Sequence, residues 1–141
     1  MFRNLGDWRF QDVTAGSLIE SKRSYQNAFA DFDNDGRIDL LTGGKLYRNL
    51  SDTGNWIALA LIGRAPNTAA IGACATLEHD GGKRWVRQVE AGTGSGNQSD
   101  LRLHVGLGDC AGPIKIAIRW PDGTTTRHES APNRRLTLLQ P

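Results

Sequence analysis

The sequence predicts an all-β protein in two parts. One β-propeller-type blade spans residues 1–52, and a β-sandwich of about seven strands spans residues 53–141. Three observations predict this. A short motif recurs at an offset of 45 residues, as Phe2-Arg3-Asn4-Leu5-Gly6-Asp7 and Tyr47-Arg48-Asn49-Leu50-Ser51-Asp52, keeping the aromatic, Arg, Asn, Leu and Asp positions. From Asn55 onward, apolar residues form short runs or strict alternations between Gly-rich turns. No i, i+3, i+4 apolar stripe is sustained between the two motif copies. A period near 45 suits either a four-stranded blade or a helical repeat, so the missing helical pattern selects the blade.

In the first part, Ala28-Phe29-Ala30 and Ile38-Asp39-Leu40-Leu41 are short apolar runs that read as strands flanking an acidic loop. In the second part, Trp56-Ile57-Ala58-Leu59-Ala60-Leu61-Ile62 is a continuous apolar run bounded by Gly54 and Gly63, and Ile71–Leu77 is another. His79-Asp80-Gly81-Gly82 reads as a hairpin turn leading into a strand over 84–90. Leu101, Leu103, Val105 and Leu107 alternate with Arg102, His104 and Gly106, as a half-buried strand requires. Ile114, Ile116, Ile118 and Trp120 alternate with Lys115, Ala117 and Arg119 in the same way. Pro121-Asp122-Gly123 then turns the chain, with Pro fixing φ and Gly supplying a positive one. Leu136 and Leu138 mark the last strand.

Composition limits the function classes. The chain has 141 residues, 38% of them hydrophobic, with 17 glycines, which is ordinary globular usage. Net charge is +2, too balanced to imply a nucleic-acid partner, and no apolar run reaches the roughly 18 residues of a membrane span. The opening MFRNLGDWRF carries no apolar signal-peptide core. Cys74 and Cys110 form no CxxC and cannot alone make a zinc site; a disulfide and two thiols are both open.

The charge is concentrated in one place. Of the seven acidic residues in 1–50, four fall in Asp31-Phe32-Asp33-Asn34-Asp35-Gly36-Arg37-Ile38-Asp39. Calcium takes six to eight oxygens, and closely spaced carboxylates on a tight loop deliver them. The expected ligands are Asp31, Asp33, Asp35, the backbone carbonyl of Arg37, and Asp39, with Gly36 permitting the sharp turn. An EF-hand would place a Glu three residues beyond Asp39, where Thr42 stands, and would flank the loop with helices. The loop therefore reads as a strand–loop–strand site in which Asp39 replaces the distant Glu. Magnesium fits less well, because it prefers few protein ligands and several waters. Without a cation, four carboxylates in nine residues repel one another.

Other motifs carry less. Gly92-Thr93-Gly94-Ser95-Gly96-Asn97 lacks the glycine spacing and following helix of a dinucleotide loop. No GxSxG or HExxH localises a nucleophile or zinc, so no catalytic residue is assigned. His79, His104 and His128 read as surface histidines, with His104 on the polar phase of its strand. The sequons at Asn49 and Asn97 are short enough to arise by chance.

Residues 1–50 resemble the FG-GAP or VCBS type of propeller repeat, with the DxDxDGxxD loop and the following Leu46-Tyr47-Arg48-Asn49. Residues 55–141 are similar to the ASPIC/UnbV domain of cartilage acidic protein and its bacterial relatives. Asn55-Trp56-Ile57, Asn67 with Ala70-Ile71-Gly72-Ala73, the stretch 94–99, His104-Val105-Gly106-Leu107-Gly108 and Trp120-Pro121-Asp122-Gly123 carry this resemblance. It implies an extracellular or cell-surface, calcium-binding, non-enzymatic protein with a role in adhesion or scaffolding. The chain then reads as the C-terminal part of a larger repeat protein, with any signal peptide upstream.

Two rival functions remain. A carbohydrate-binding module would stack sugars on exposed aromatics, for which Trp8, Trp85 and Trp120 are candidates, although Trp120 falls on the apolar phase of its strand. The other rival is the non-catalytic end of a secreted enzyme. The partner is then a protein or glycan, and no nucleic acid or membrane span is expected. A lone blade also leaves apolar residues such as Phe2, Leu5, Phe29, Leu40 and Leu41 without neighbouring blades. Self-association is the expected resolution, and packing of the blade on the sandwich is the alternative.

Overall fold

A computed structural model describes residues 2–17, 26–52, 54–92, 94 and 96–141. Met1, Thr93 and Ser95, which belong to segments discussed above, lie outside the described residues. Twelve strands and one short 3₁₀ turn, Thr14–Ser17, make up the regular structure of the described residues. The protein is all-β.

The N-terminal part contains a hairpin and a meander. Strands β1 (Phe2–Asn4) and β2 (Phe10–Asp12) pair antiparallel as a sheet of their own. Their turn runs through three left-handed residues, Gly6, Asp7 and Trp8. Asn4 Oδ1 accepts the Gly6 N–H at 2.8 Å, and Leu5 and Arg9 close the turn through backbone bonds. Strands β3 (Asn27–Ala30), β4 (Asp39–Thr42) and β5 (Lys45–Tyr47) form an antiparallel sheet in that order. Gly43 and Gly44, both with positive φ, make the two-residue link between β4 and β5.

The expected four-stranded blade is therefore seen as a three-stranded meander, with the hairpin separate. The free edge of β3 is occupied by the C-terminal part. Asp100 N–H donates to the Phe29 carbonyl at 2.9 Å, and Phe29 N–H donates to Ser99 Oγ at 3.3 Å. The two motif copies share a local geometry. Asn49 Oδ1 accepts the Ser51 N–H at 3.0 Å, as Asn4 accepts that of Gly6. Beyond this turn they diverge, because the first copy folds back into β2 and the second enters the sandwich.

Seven strands build the sandwich: β6 (Asn55–Ile62), β7 (Cys74–His79), β8 (Arg84–Gln88), β9 (Leu103–Gly108), β10 (Ile114–Arg119), β11 (Thr125–Ser130) and β12 (Arg134–Leu139). One sheet has the order β11-β10-β7-β8 and is antiparallel throughout. The other has the order β12-β6-β9, with β12 parallel to β6. Alternation then dictates the core. Ile57, Leu59 and Leu61 of β6 and Leu103, Val105 and Leu107 of β9 join Ala75, Leu77, Ile114, Ile116, Ile118 and Trp120 in one buried cluster.

Two readings need correction. The apolar run Ile71–Leu77 is not strand throughout, since β7 begins at Cys74. Ala70 and Gly72 have positive φ, and Asn67 clamps Ile71 through both its amide groups, at 2.9 and 3.0 Å, so this piece is a buried turn. The second concerns the strand expected over 84–90, which ends at Gln88, after which Val89 exchanges backbone bonds with the 72–73 turn. Cys74 and Cys110 are free thiols, the first half-buried and the second buried.

The N-terminal part packs on the sandwich within the chain, along the Phe29–Asp100 contact and the loop contacts described below. Phe2, Leu5, Phe29 and Leu41 nevertheless stay about half or more exposed. Among the described residues no helix is long and apolar enough to cross a membrane.

Candidate metal loop and its dock on the sandwich

The β3–β4 connection, residues 31–39, is built around buried carboxylates. Asp31 leaves β3 and Asp39 opens β4, and both are almost fully buried. Asp31 Oδ1 accepts the Asp35 N–H at 2.9 Å and Oδ2 accepts the Gly36 N–H at 3.0 Å, so the first carboxylate closes the loop on itself. Asp39 Oδ2 accepts the Phe32 N–H at 3.1 Å, and Oδ1 accepts the Asn49 N–H at 2.7 Å. The second motif copy thereby ties into the loop, aided by Asn49 Nδ2 donating to the Ile38 carbonyl at 3.2 Å and Arg37 Nε donating to the Asn49 carbonyl at 2.8 Å. Asn34 and Gly36 both take left-handed backbone, with φ of 61° and 89°.

These bonds converge three carboxylates. One oxygen each of Asp31, Asp33 and Asp39 lies within 4.8 Å of the others. Asp33 Oδ1 is buried without a hydrogen-bond donor, and Oδ2 is paired with Arg48 Nε at 2.5 Å. An unpaired buried carboxylate oxygen favours positive charge nearby.

Asp35 is placed differently. Its Oδ1 accepts the Arg37 N–H at 2.9 Å, and its Oδ2 pairs with the guanidinium groups of Arg37 and Arg48. Burial pushes this carboxyl up, but the Arg37 amide, Arg48 and the Arg37 charge outweigh it and hold Asp35 below the ordinary range. The hydrogen bond to Asp35, then the charge of Asp33, raise Arg48. Of the sequence-derived ligands, the structure thus brings together Asp31, Asp33 and Asp39, and turns the Asp35 side chain toward the two arginines.

The loop does not stand free. Arg102, just before β9, donates from Nη1 to Asn34 Oδ1 at 2.8 Å and from Nη2 to the Asp31 carbonyl at 3.1 Å. Its Nε pairs with Asp100 at 2.5 Å. His104 Nε2 lies 2.9 Å from the Gly36 carbonyl, and its ring stacks on Trp56 with centroids 5.8 Å apart. A Cβ at Gly36 would fall 2.0 Å from Trp56 Nε1. The glycine is needed for its positive φ and again for this close approach.

His104 is accordingly not a free surface histidine. Arg48, Asn49, Trp56, Arg102 and His104 were not among the sequence-derived site residues. One signal for Trp56 and His104 was present, since both fall on the outward phase of strands whose other phase is apolar. The remaining histidines are engaged as well: His79 Nδ1 accepts the Gly81 N–H at 3.1 Å, and His128 Nε2 lies 3.1 Å from Thr126 Oγ1. The sequon residue Asn49 has its side chain committed inside the fold.

No curated protein matches the chain. The family model described as ASPIC and UnbV matches residues 63–141, or 79 of 141, which takes in strands β7 to β12, the His104–Gly108 segment and the Trp120–Gly123 turn. The chain belongs to the ASPIC and UnbV family.

Proposed function

We propose that the chain is a non-enzymatic, calcium-binding scaffold or adhesion module of an extracellular or cell-surface protein, in which the ion fastens a propeller-type repeat to the ASPIC/UnbV domain. The observation that carries this reading is the convergence of one oxygen each of Asp31, Asp33 and Asp39 within 4.8 Å, with Asp33 Oδ1 buried and without a donor. In this reading Asp31, Asp33 and Asp39 hold the ion. Asp35 joins them on releasing its arginines, and the Arg37 carbonyl completes the oxygen set that calcium prefers. The ion adds positive charge beside Asp31 and Asp39, whose oxygens accept from backbone N–H groups.

Extracellular calcium modules bind with Kd of about 10⁻⁴–10⁻³ M. At millimolar calcium this adds roughly 0.4–1.4 kcal/mol by mass action. Calorimetric titration tests the proposal. Binding heat in the wild type that is lost in Asp33→Ala supports it, and no heat in the wild type refutes it.

A second reading has one observation in its favour. Trp8 is 93% exposed at the tip of the β1–β2 turn, where it could stack on a sugar. Trp120 is fully buried and Trp85 packs against the core, so a carbohydrate-binding role would rest on Trp8 alone. A glycan array comparing wild type with Trp8→Ala decides between the readings. Self-association through the exposed Phe2, Leu5 and Leu41 belongs to the proposal, and light scattering at micromolar concentration tests it.

A further inference from the structure

We infer that Arg102 is a positioning residue for the acidic loop: the ASPIC/UnbV domain, through Arg102 with His104 beside it, holds residues 31–39 in their ion-ready form. Ion binding in the repeat and docking of the repeat on the sandwich are then one linked equilibrium.

The geometry carries this. The Arg102 guanidinium reaches three separate acceptors: Asp100 on its own segment, the Asn34 side chain, and the Asp31 main-chain carbonyl. A planar fork presents its donors from three separated nitrogens in fixed relation, whereas an ammonium offers three rotatable donors from a single nitrogen. Both loop acceptors sit beside candidate ligands. The Asp31 carbonyl belongs to the first carboxylate residue, and Asn34 lies between Asp33 and Asp35 in a left-handed conformation that its side-chain bond helps retain. Asp100 fixes the other end of the clamp, since its N–H donates to the Phe29 carbonyl on β3. Two residues along β9, His104 contacts the Gly36 carbonyl and carries the Trp56 stack against which Gly36 fits. The C-terminal part thus holds the loop at Asp31, Asn34 and Gly36, with the Asp100 carboxylate orienting Arg102.

The link to the ion rests on the calcium reading, but the clamp does not. Amide hydrogen exchange of the full chain in chelator reads the clamp directly. In Arg102→Ala the amides of Asp35, Gly36 and Arg37 should exchange roughly tenfold faster, the loss expected for a charged hydrogen-bonding partner. The amides of Ile116 and Ile118 in the core should not change. Arg102→Lys keeps the charge but not the fork and should rescue little. If core exchange also rises in Arg102→Ala, Asn34→Gly becomes the deciding variant, because it keeps the left-handed backbone and removes one loop acceptor; it should speed the loop alone. Unchanged loop exchange in the deciding variant overturns the inference.

Calorimetry with calcium chloride reads the link. The wild type should bind and Arg102→Ala should bind about tenfold more weakly. Equal affinity in the two proteins overturns the link. Absence of binding in the wild type refutes the calcium reading, and the exchange result still decides the clamp.

Discussion

The two parts of the chain bury opposite kinds of residue. All the buried apolar side chains among the described residues lie in the C-terminal part, from Ile57 to Trp120. Among the described residues of the N-terminal part, the buried side chains are Asp31, Asp39 and Thr42, all polar. One part is held by area removed from water, which needs no partner of defined chemistry. The other is held by carboxylates that close backbone turns, which requires their charge to be matched. The N-terminal part therefore depends on arginines and on the sandwich in a way the sandwich does not depend on it.

Substitutions sharpen this contrast, and the largest effect lies in the apolar part. Trp120 is fully buried, and its indole N–H donates to Thr126 Oγ1 at 3.0 Å. Trp120→Ala should cost about 3–5 kcal/mol in chemical denaturation of the sandwich. Because the loop is docked on that sandwich, its exchange protection should be lost too.

In the polar part, Asp39→Ala strands the N–H groups of Phe32 and Asn49. The expected cost is roughly 1–3 kcal/mol, confined to residues 31–49, with the sandwich melting unchanged. Gly36→Ala should cost about 1–2 kcal/mol from the left-handed backbone, and the clash with Trp56 should also lift the loop off the sandwich. Quenching or a shift of Trp56 emission would report that separation.

The smallest effect should be the same in both parts. Asp12 and Asp122 each sit two residues before a threonine, and each accepts that residue's hydroxyl and N–H on Oδ1. The threonine hydroxyl, then its amide, hold both carboxyls below the ordinary 3.8. With folded values lowered, each contribution is present above pH 3.8 and disappears as pH falls through the folded value. Carboxyl NMR titrations should give midpoints below 3.8 at both sites, and a midpoint at or above it would remove the effect.

How far the sequence could be read follows the same division. Strands β9 and β10 were legible because their alternation is strict, and the acidic loop because its spacing is local. Strand β11, Thr-Thr-Arg-His-Glu-Ser, has no apolar phase and takes its place only by pairing with β10. The fourth blade strand was expected from the repeat length, but the edge of β3 is filled by Ser99 and Asp100 instead. The clamp was hidden for a related reason. Arg102 and His104 meet the loop across 68 to 71 residues, and single polar contacts at that separation leave no periodic trace.

The proposed cation would act on the polar part and its dock, and not on the apolar core. Hydrogen exchange of the full chain, with calcium against chelator, measures this directly. Calcium should add protection at the amides of residues 32–37, Asn49 and Asp100 and leave the β7 and β10 amides unchanged. Protection that is absent, or spread evenly over both parts, would contradict it.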